Sequence, residues 1–123
     1  MSTRAQIRFA TREKGQSFSE HPDAIHAQFY KHSDGYPDGL GLDIANSIYN
    51  GCKVQNWEIE ELDARHGDLE YIYYIWQTPG PEKKDTFISI FETYLANGEG
   101  ETCIFVGEPQ ALIKKYSQNQ NES

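Results

Sequence analysis

Between residues 30 and 41 the chain reads Tyr30-Lys31-His32-Ser33-Asp34-Gly35-Tyr36-Pro37-Asp38-Gly39-Leu40-Gly41. Here the residue types able to do chemistry lie closest together. His32 and Asp34 stand two apart, so a bend between them could let the carboxylate orient the imidazole as an acid–base pair. The plainer alternative has Asp34 closing an Asx-turn into Gly35 while His32 bonds a backbone carbonyl. No nucleophile motif accompanies the pair: there is no Gly-x-Ser-x-Gly elbow, no Walker loop and no Rossmann fingerprint. Gly35, Gly39 and Gly41 lead into a helix-like segment, whose first N–H groups and dipole could receive an anion. Tyr30 and Tyr36 would flank a flat group there, with Arg4 or Arg8 neutralising phosphate. The competing reading is architectural: Gly39 and Gly41 allow close helix–sheet packing, and Tyr36 and Pro37 fill the edge of the core.

Metal chemistry would need three or four converging ligands. Among His21, His26, His32 and His66, the local group worth considering is His26 and His32 with Asp34. On a regular strand a separation of six residues puts His26 and His32 about 20 Å apart, so neither a metal nor another cofactor is expected. Cys52 and Cys103 have no His close by in sequence and read as small, unbridged thiols.

These residues must be held by the elements around them. Residues 4–10 alternate polar and apolar, the pattern of a strand with Ala5, Ile7 and Phe9 toward the core and Arg4, Gln6 and Arg8 opposite. Residues 25–32 alternate again, with Ile25, Ala27 and Phe29 inward and His26, Gln28, Tyr30 and His32 outward. If the two strands pair, Arg4, Arg8, Gln28, Tyr30 and His32 share a polar face leading into the glycine loop. Leu40, Ile44 and Ile48 then recur at helical spacing, with Asp38 as N-cap and Gly51 as stop. Residues 54–67 fit either a short helix or an irregular strand. Leu69 to Gln77 is apolar on both faces, as a central or covered strand would be. Thr86–Leu95 and Glu101–Val106 predict a hairpin across Asn97-Gly98-Glu99-Gly100, followed by a helix over 109–117. The sum is a single α+β domain over residues 1–116, a mostly antiparallel β-sheet of about five strands packed with two or three helices, and a flexible polar tail over 117–123.

With 11 Lys and Arg against 19 Asp and Glu, the net charge is −8, which argues against general nucleic-acid binding. The acids Glu58, Glu60, Glu61, Asp63, Asp68 and Glu70 could mimic nucleic acid, or simply form a solvated face. No apolar run approaches the roughly 20 residues of a membrane span. Residues 1–6 lack a signal-peptide core. A cytoplasmic protein is expected, and a homodimer is compatible with the sequence.

Ser2-Thr3-Arg4-Ala5 followed by Tyr30-x-His32-x-Asp34-Gly35-Tyr36-Pro37-x-Gly39-x-Gly41 resembles a family of small phage and bacterial proteins. In that family a threonine–arginine start precedes a strand and the tyrosine–histidine–aspartate box opens a helix. The resemblance covers about the first fifty residues and implies a phage setting, hence a host cytoplasm. It carries over no catalytic residue. The expectation it shapes is a non-catalytic binding protein antagonising a host defence system, as an anti-CRISPR-like inhibitor or by sequestering a nucleotide-type small molecule. Its candidate binding residues are Arg4, Arg8, Tyr30, His32, Asp34, Gly35, Tyr36, Gly39 and Gly41. The alternatives are a small hydrolase or nucleotide-processing enzyme using His32 and Asp34, and a structural or regulatory phage protein without ligand.

Overall fold

The computed structural model describes residues 3–11, 22, 25–32, 35–50, 57–64, 66, 69–77 and 86–121. Their strands are β1 (Ala5–Thr11), β2 (Ile25–Lys31), β3 (Glu58–Glu60), β4 (Tyr71–Gln77), β5 (Thr86–Glu92) and β6 (Thr102–Gly107). The helices are α1 (Leu42–Asn50), α2 (Tyr94–Asn97) and α3 (Pro109–Asn121). The six strands form one mixed sheet in the order β3-β2-β1-β4-β5-β6. Only the central β1–β4 pair is parallel. The α+β class and the dominance of antiparallel pairing expected from the sequence are what is found, with one strand more than the expected five. The extra strand is β3, a three-residue edge strand within the ambiguous 54–67 segment.

Register explains the two faces. Ile7 lies opposite Phe29 on β2 and Tyr73 on β4, and Ile75 lies opposite Ile88 on β5. This face takes α1 and α3, whose Leu40-side approach, Ile44, Leu112 and Tyr116 close over Ala5, Ile7, Tyr73, Ile75, Ile88 and Ile90. Full burial of one such aliphatic side chain contributes about 1.5–3 kcal/mol, so this layer dominates the folding free energy. β4 is apolar on both faces because both are covered: Ile72, Tyr74 and Trp76 form a second cluster with Tyr30, Leu69 and Phe91. A register shift between Phe9 and Ala10 carries Ile25 to this second face, away from the side that simple alternation gives it.

Local chemistry sets the boundaries. Pro37 opens α1's approach, and Tyr36 before it is extended, as a residue preceding proline prefers. The turn Pro37–Gly41 is widened, with the Leu42 N–H reaching back to the carbonyl of Pro37. No side chain caps it, so Asp38 is not the N-cap that the sequence suggests; Gly51, its expected stop, lies outside the described residues. β5 and β6 pair antiparallel as the expected hairpin, but β5 ends at Glu92 and the connection contains α2, because the Thr93 hydroxyl accepts the N–H of Leu95 and Gly98, at φ +77°, ends the helix. α3 continues to Asn121, through much of the stretch expected to be a tail. Cys103 is a free thiol; Cys52 lies outside the described residues. Among the described residues no helix is long and apolar enough to cross a membrane.

Candidate functional site

The second face carries an unusual transverse row. Register aligns Glu60 on β3 with Gln28 on β2, Gln28 with Arg8 on β1, Arg8 with Tyr74 on β4, and Tyr74 with Ser89 on β5. All five project to the same side, and Gln28, Arg8, Tyr74 and Ser89 are buried. The face read from alternation as solvent-facing is therefore an interior one. Buried polar groups need partners, and the row finds them within itself and in its neighbours Gln6, Ala64 and Trp76, the Trp76 indole N–H donating to the Ser89 hydroxyl at 2.8 Å.

Arg8 is the hub. Its Nε donates to Gln28 Oε1 at 3.0 Å, its Nη1 to the Tyr74 hydroxyl at 2.7 Å and its Nη2 to Gln6 Oε1 at 2.6 Å. The guanidinium carbon also lies 5.5 Å from the Tyr74 ring centroid. A guanidinium only donates, so both glutamines must turn their carbonyl oxygens toward it. Their amide nitrogens then point the other way. Gln6 Nε2 donates to Glu60 Oε1 and the Ala64 carbonyl, both at 3.0 Å. Gln28 Nε2 donates to the Ala64 carbonyl at 2.8 Å, with longer contacts to the Glu61 carbonyl and Glu60 Oε1. Two amides thus relay between a cation and a carboxylate, and strap the β3–β4 connection onto the sheet.

Glu60 is closed from the other side by His66, whose Nε2 shares a short hydrogen bond with Glu60 Oε2. The His66 ring stacks on Tyr30, with centroids 4.1 Å apart and planes at 25°. Burial pulls the Glu60 carboxyl upward, but the hydrogen bonds from His66, Gln6 and Gln28 and the His66 charge outweigh it and hold the carboxyl below its ordinary value.

A cavity of about 430 Å³ opens beside this network. Among the described residues it is lined by Arg8, His66, Leu69 and Ile72 and, from the β5–β6 connection, by Thr93, Tyr94, Leu95, Gly100 and Glu101. The Thr93 hydroxyl donates to the Leu69 carbonyl and so ties α2 to the start of β4. Tyr94 and Leu95 are exposed at the mouth, at 66% and 55%.

The residues expected to form one site divide between the two faces. Arg8 and Tyr30 belong to the network just described. His32 lies at its margin, exposed, with Nε2 2.9 Å from Glu58 Oε1 and its ring edge-on to Tyr30. Its carboxylate partner here is Glu58; Asp34, expected to pair with it, lies outside the described residues. Arg4 sits half-buried just before β1, its carbonyl accepting the N–H of Glu70. Gly35, Gly39 and Gly41 make framework contacts. The Gly35 N–H donates to the Thr3 carbonyl, and the N–H groups of Gly39 and Leu40 to Tyr36. Those amides are therefore already engaged where an anion cradle was expected. Gly35 is not in the left-handed region; it is glycine because a Cβ there would stand 2.9 Å from both the Ala5 Cβ and the Thr3 carbonyl oxygen. Its own carbonyl accepts the buried Tyr73 hydroxyl at 2.6 Å. Gly41 packs toward Leu112, Tyr73 and Ile90, and Tyr36 is exposed.

Sequence reasoning missed Gln6, Glu60, His66 and Tyr74 as site residues. The available signal was Gln6 and Arg8 on one face of β1 with Gln28 on the matching face of β2. A solvated strand face rarely carries two amides around a single cation. Among the described residues no group of three or more His, Cys, Asp or Glu could hold a metal ion. No protein-family model, no curated protein and no solved structure matches the chain.

Proposed function

We propose that this chain is a non-catalytic binding protein that holds a small molecule in the cavity beside Arg8. The observation that carries this reading is the locked polar network behind the cavity: Arg8 and His66, which line it, are fixed together with Gln6, Gln28 and Glu60 through hydrogen bonds before any ligand arrives. A wall ordered in advance lowers the entropic cost of binding. The volume falls within the roughly 300–1,000 Å³ typical of ligand pockets. In the phage setting implied by the Tyr30–Gly41 resemblance, the function is antagonism of a host defence by sequestering a nucleotide-type signal. Occlusion of a defence protein would instead use an outer surface, such as the acidic edge at β3 where Ile59 and Leu62 are exposed.

The test is to incubate the pure protein with host lysate, re-isolate it, denature it and identify what is released by mass spectrometry. The expected result is a small molecule in near-stoichiometric amount. A host protein at comparable yield, with no small molecule, would replace this reading by occlusion. Turnover of the released compound by fresh protein, lost in His32→Ala, would select the enzyme.

A further inference from the structure

Resting on the cavity reading, we infer the ligand's chemical class: a small molecule with a single anionic head, carboxylate or phosphate, and an apolar or aromatic body. The head is taken by Arg8. Of the five N–H groups of the guanidinium, three donate to Gln28, Tyr74 and Gln6. One remains on each terminal nitrogen, and Arg8 forms part of the cavity wall. All three acceptors are neutral, and among the described residues no carboxylate pairs with Arg8, although it is only 7% exposed. A desolvated cation with neutral partners alone is costly to keep, and an anion arriving there is stabilised far more than it would be at the surface. Glu60 does not fill that role directly: both glutamine amides stand between it and Arg8, and its other oxygen is held by His66.

The neighbours narrow the class further. Leu69 and Ile72 form an apolar flank, and exposed Tyr94 and Leu95 offer a surface for a flat or branched body. The protein's net charge of −8 repels anions at long range, so selection comes from this local geometry and not from a general basic field.

The experiment is an NMR titration of the whole protein with benzoate, phenyl phosphate and benzamide, following the amides of Ile72, Thr93, Leu95 and Gly100. Benzoate and phenyl phosphate should shift these amides with affinities at least tenfold above neutral benzamide. Whichever anion is the stronger identifies the head as carboxylate or phosphate. Arg8→Met should erase the preference. Because that substitution disturbs a buried network, Leu95→Glu, at an exposed position of the cavity lining, gives a second arm: it should weaken both anions at least fivefold more than it weakens benzamide. Benzamide binding as well as the anions would overturn the inferred class and leave the cavity reading standing. No shift of any cavity amide by any probe would overturn both. An anion preference unchanged in both variants would place the head elsewhere and also overturn the class.

Discussion

The two faces of the sheet are built from the same strands by opposite means. The helix-covered face is mainly aliphatic and aromatic: Ala5, Ile7, Ile75, Ile88 and Ile90 meet Ile44 and Leu112, and the buried charged residue on this side among the described residues is Lys31, in register with Ala5. The second face buries Arg8, Gln6, Gln28 and Ser89 as deeply; the first three are satisfied by one another, by Tyr74, by Glu60 and by the Ala64 carbonyl, and Ser89 by the Trp76 indole N–H. Apolar burial is non-directional and rewards any side chain of suitable shape. A buried polar network rewards only one arrangement, because each unmet donor or acceptor costs about 1–3 kcal/mol. Stability is therefore concentrated on the first face, and geometric definition on the second.

That division can be broken from its strong side first. Ile44→Ala removes a fully buried side chain between α1 and the sheet and should cost about 2–5 kcal/mol in chemical denaturation. Gly35→Val should cost about 1–3 kcal/mol by overpacking against Ala5 and the Thr3 carbonyl. A cost near zero at Gly35 would mean that β1 and the loop can separate without loss.

On the polar face the expected signature is coupling. Arg8→Met leaves the carbonyls of Gln6 and Gln28 without their donor and should cost about 1–3 kcal/mol. Gln28→Leu alone removes an acceptor from Arg8 and donors from Ala64 and Glu60. The double variant should lose less than the sum, with a coupling of about 0.5–3 kcal/mol, whereas Gln28→Leu with Ile44→Ala should be nearly additive. Additivity between Arg8 and Gln28 would show that the network is a set of independent contacts.

The same division decides what the sequence made legible. Period-two alternation in residues 4–10 and 25–32 reports which side chains share a face, and it placed Arg8, Gln28 and Tyr30 together. It is silent on whether a second layer covers that face. The cover comes from β3 and the β3–β4 connection, whose Glu60 and His66 lie in a stretch that fits helix or strand equally, and from α2, hidden in what reads as a hairpin turn. Nor does alternation reveal that β1 pairs in parallel with β4, so Tyr74 could not be set beside Arg8. The Tyr30–Gly41 box attracted attention through its density of turn residues, and in the structure Gly35 and Gly41 serve the close approach of chain and helix to the sheet. The architectural alternative named Gly39 and Gly41; Gly41 does pack toward Leu112, Tyr73 and Ile90, and the close approach at Gly35 is one that alternative did not name.

A pH titration sharpens the comparison further, since Glu60 links to the polar face alone. Its folded-state pKa lies below the ordinary value of 4.5, so the carboxylate form favours the native state. That contribution is complete above the ordinary carboxylate range and is lost as pH falls through the depressed folded value. Urea denaturation between about pH 3 and pH 7 should therefore show Glu60→Gln less stable than the parent near neutrality, with the gap closing at the acid end. Parallel curves for the two proteins would remove Glu60 from the network's energetics.

The smallest effect is expected at His32, the residue that looked most chemical in the sequence. Its bond to Glu58 joins side chains that are 58% and 60% exposed, and exposed ion pairs contribute about 0.2–1 kcal/mol. Its ring touches Tyr30 edge-on, but it does not line the cavity. His32→Ala should thus lower stability by no more than about 1 kcal/mol and leave the affinity for anionic probes unchanged. His66→Ala should differ sharply in the second respect, because it removes both a cavity wall and the clasp on Glu60. If His32→Ala weakens probe binding as much as His66→Ala does, the site extends along β2 toward the glycine box, and the boundary between binding face and framework must be redrawn there.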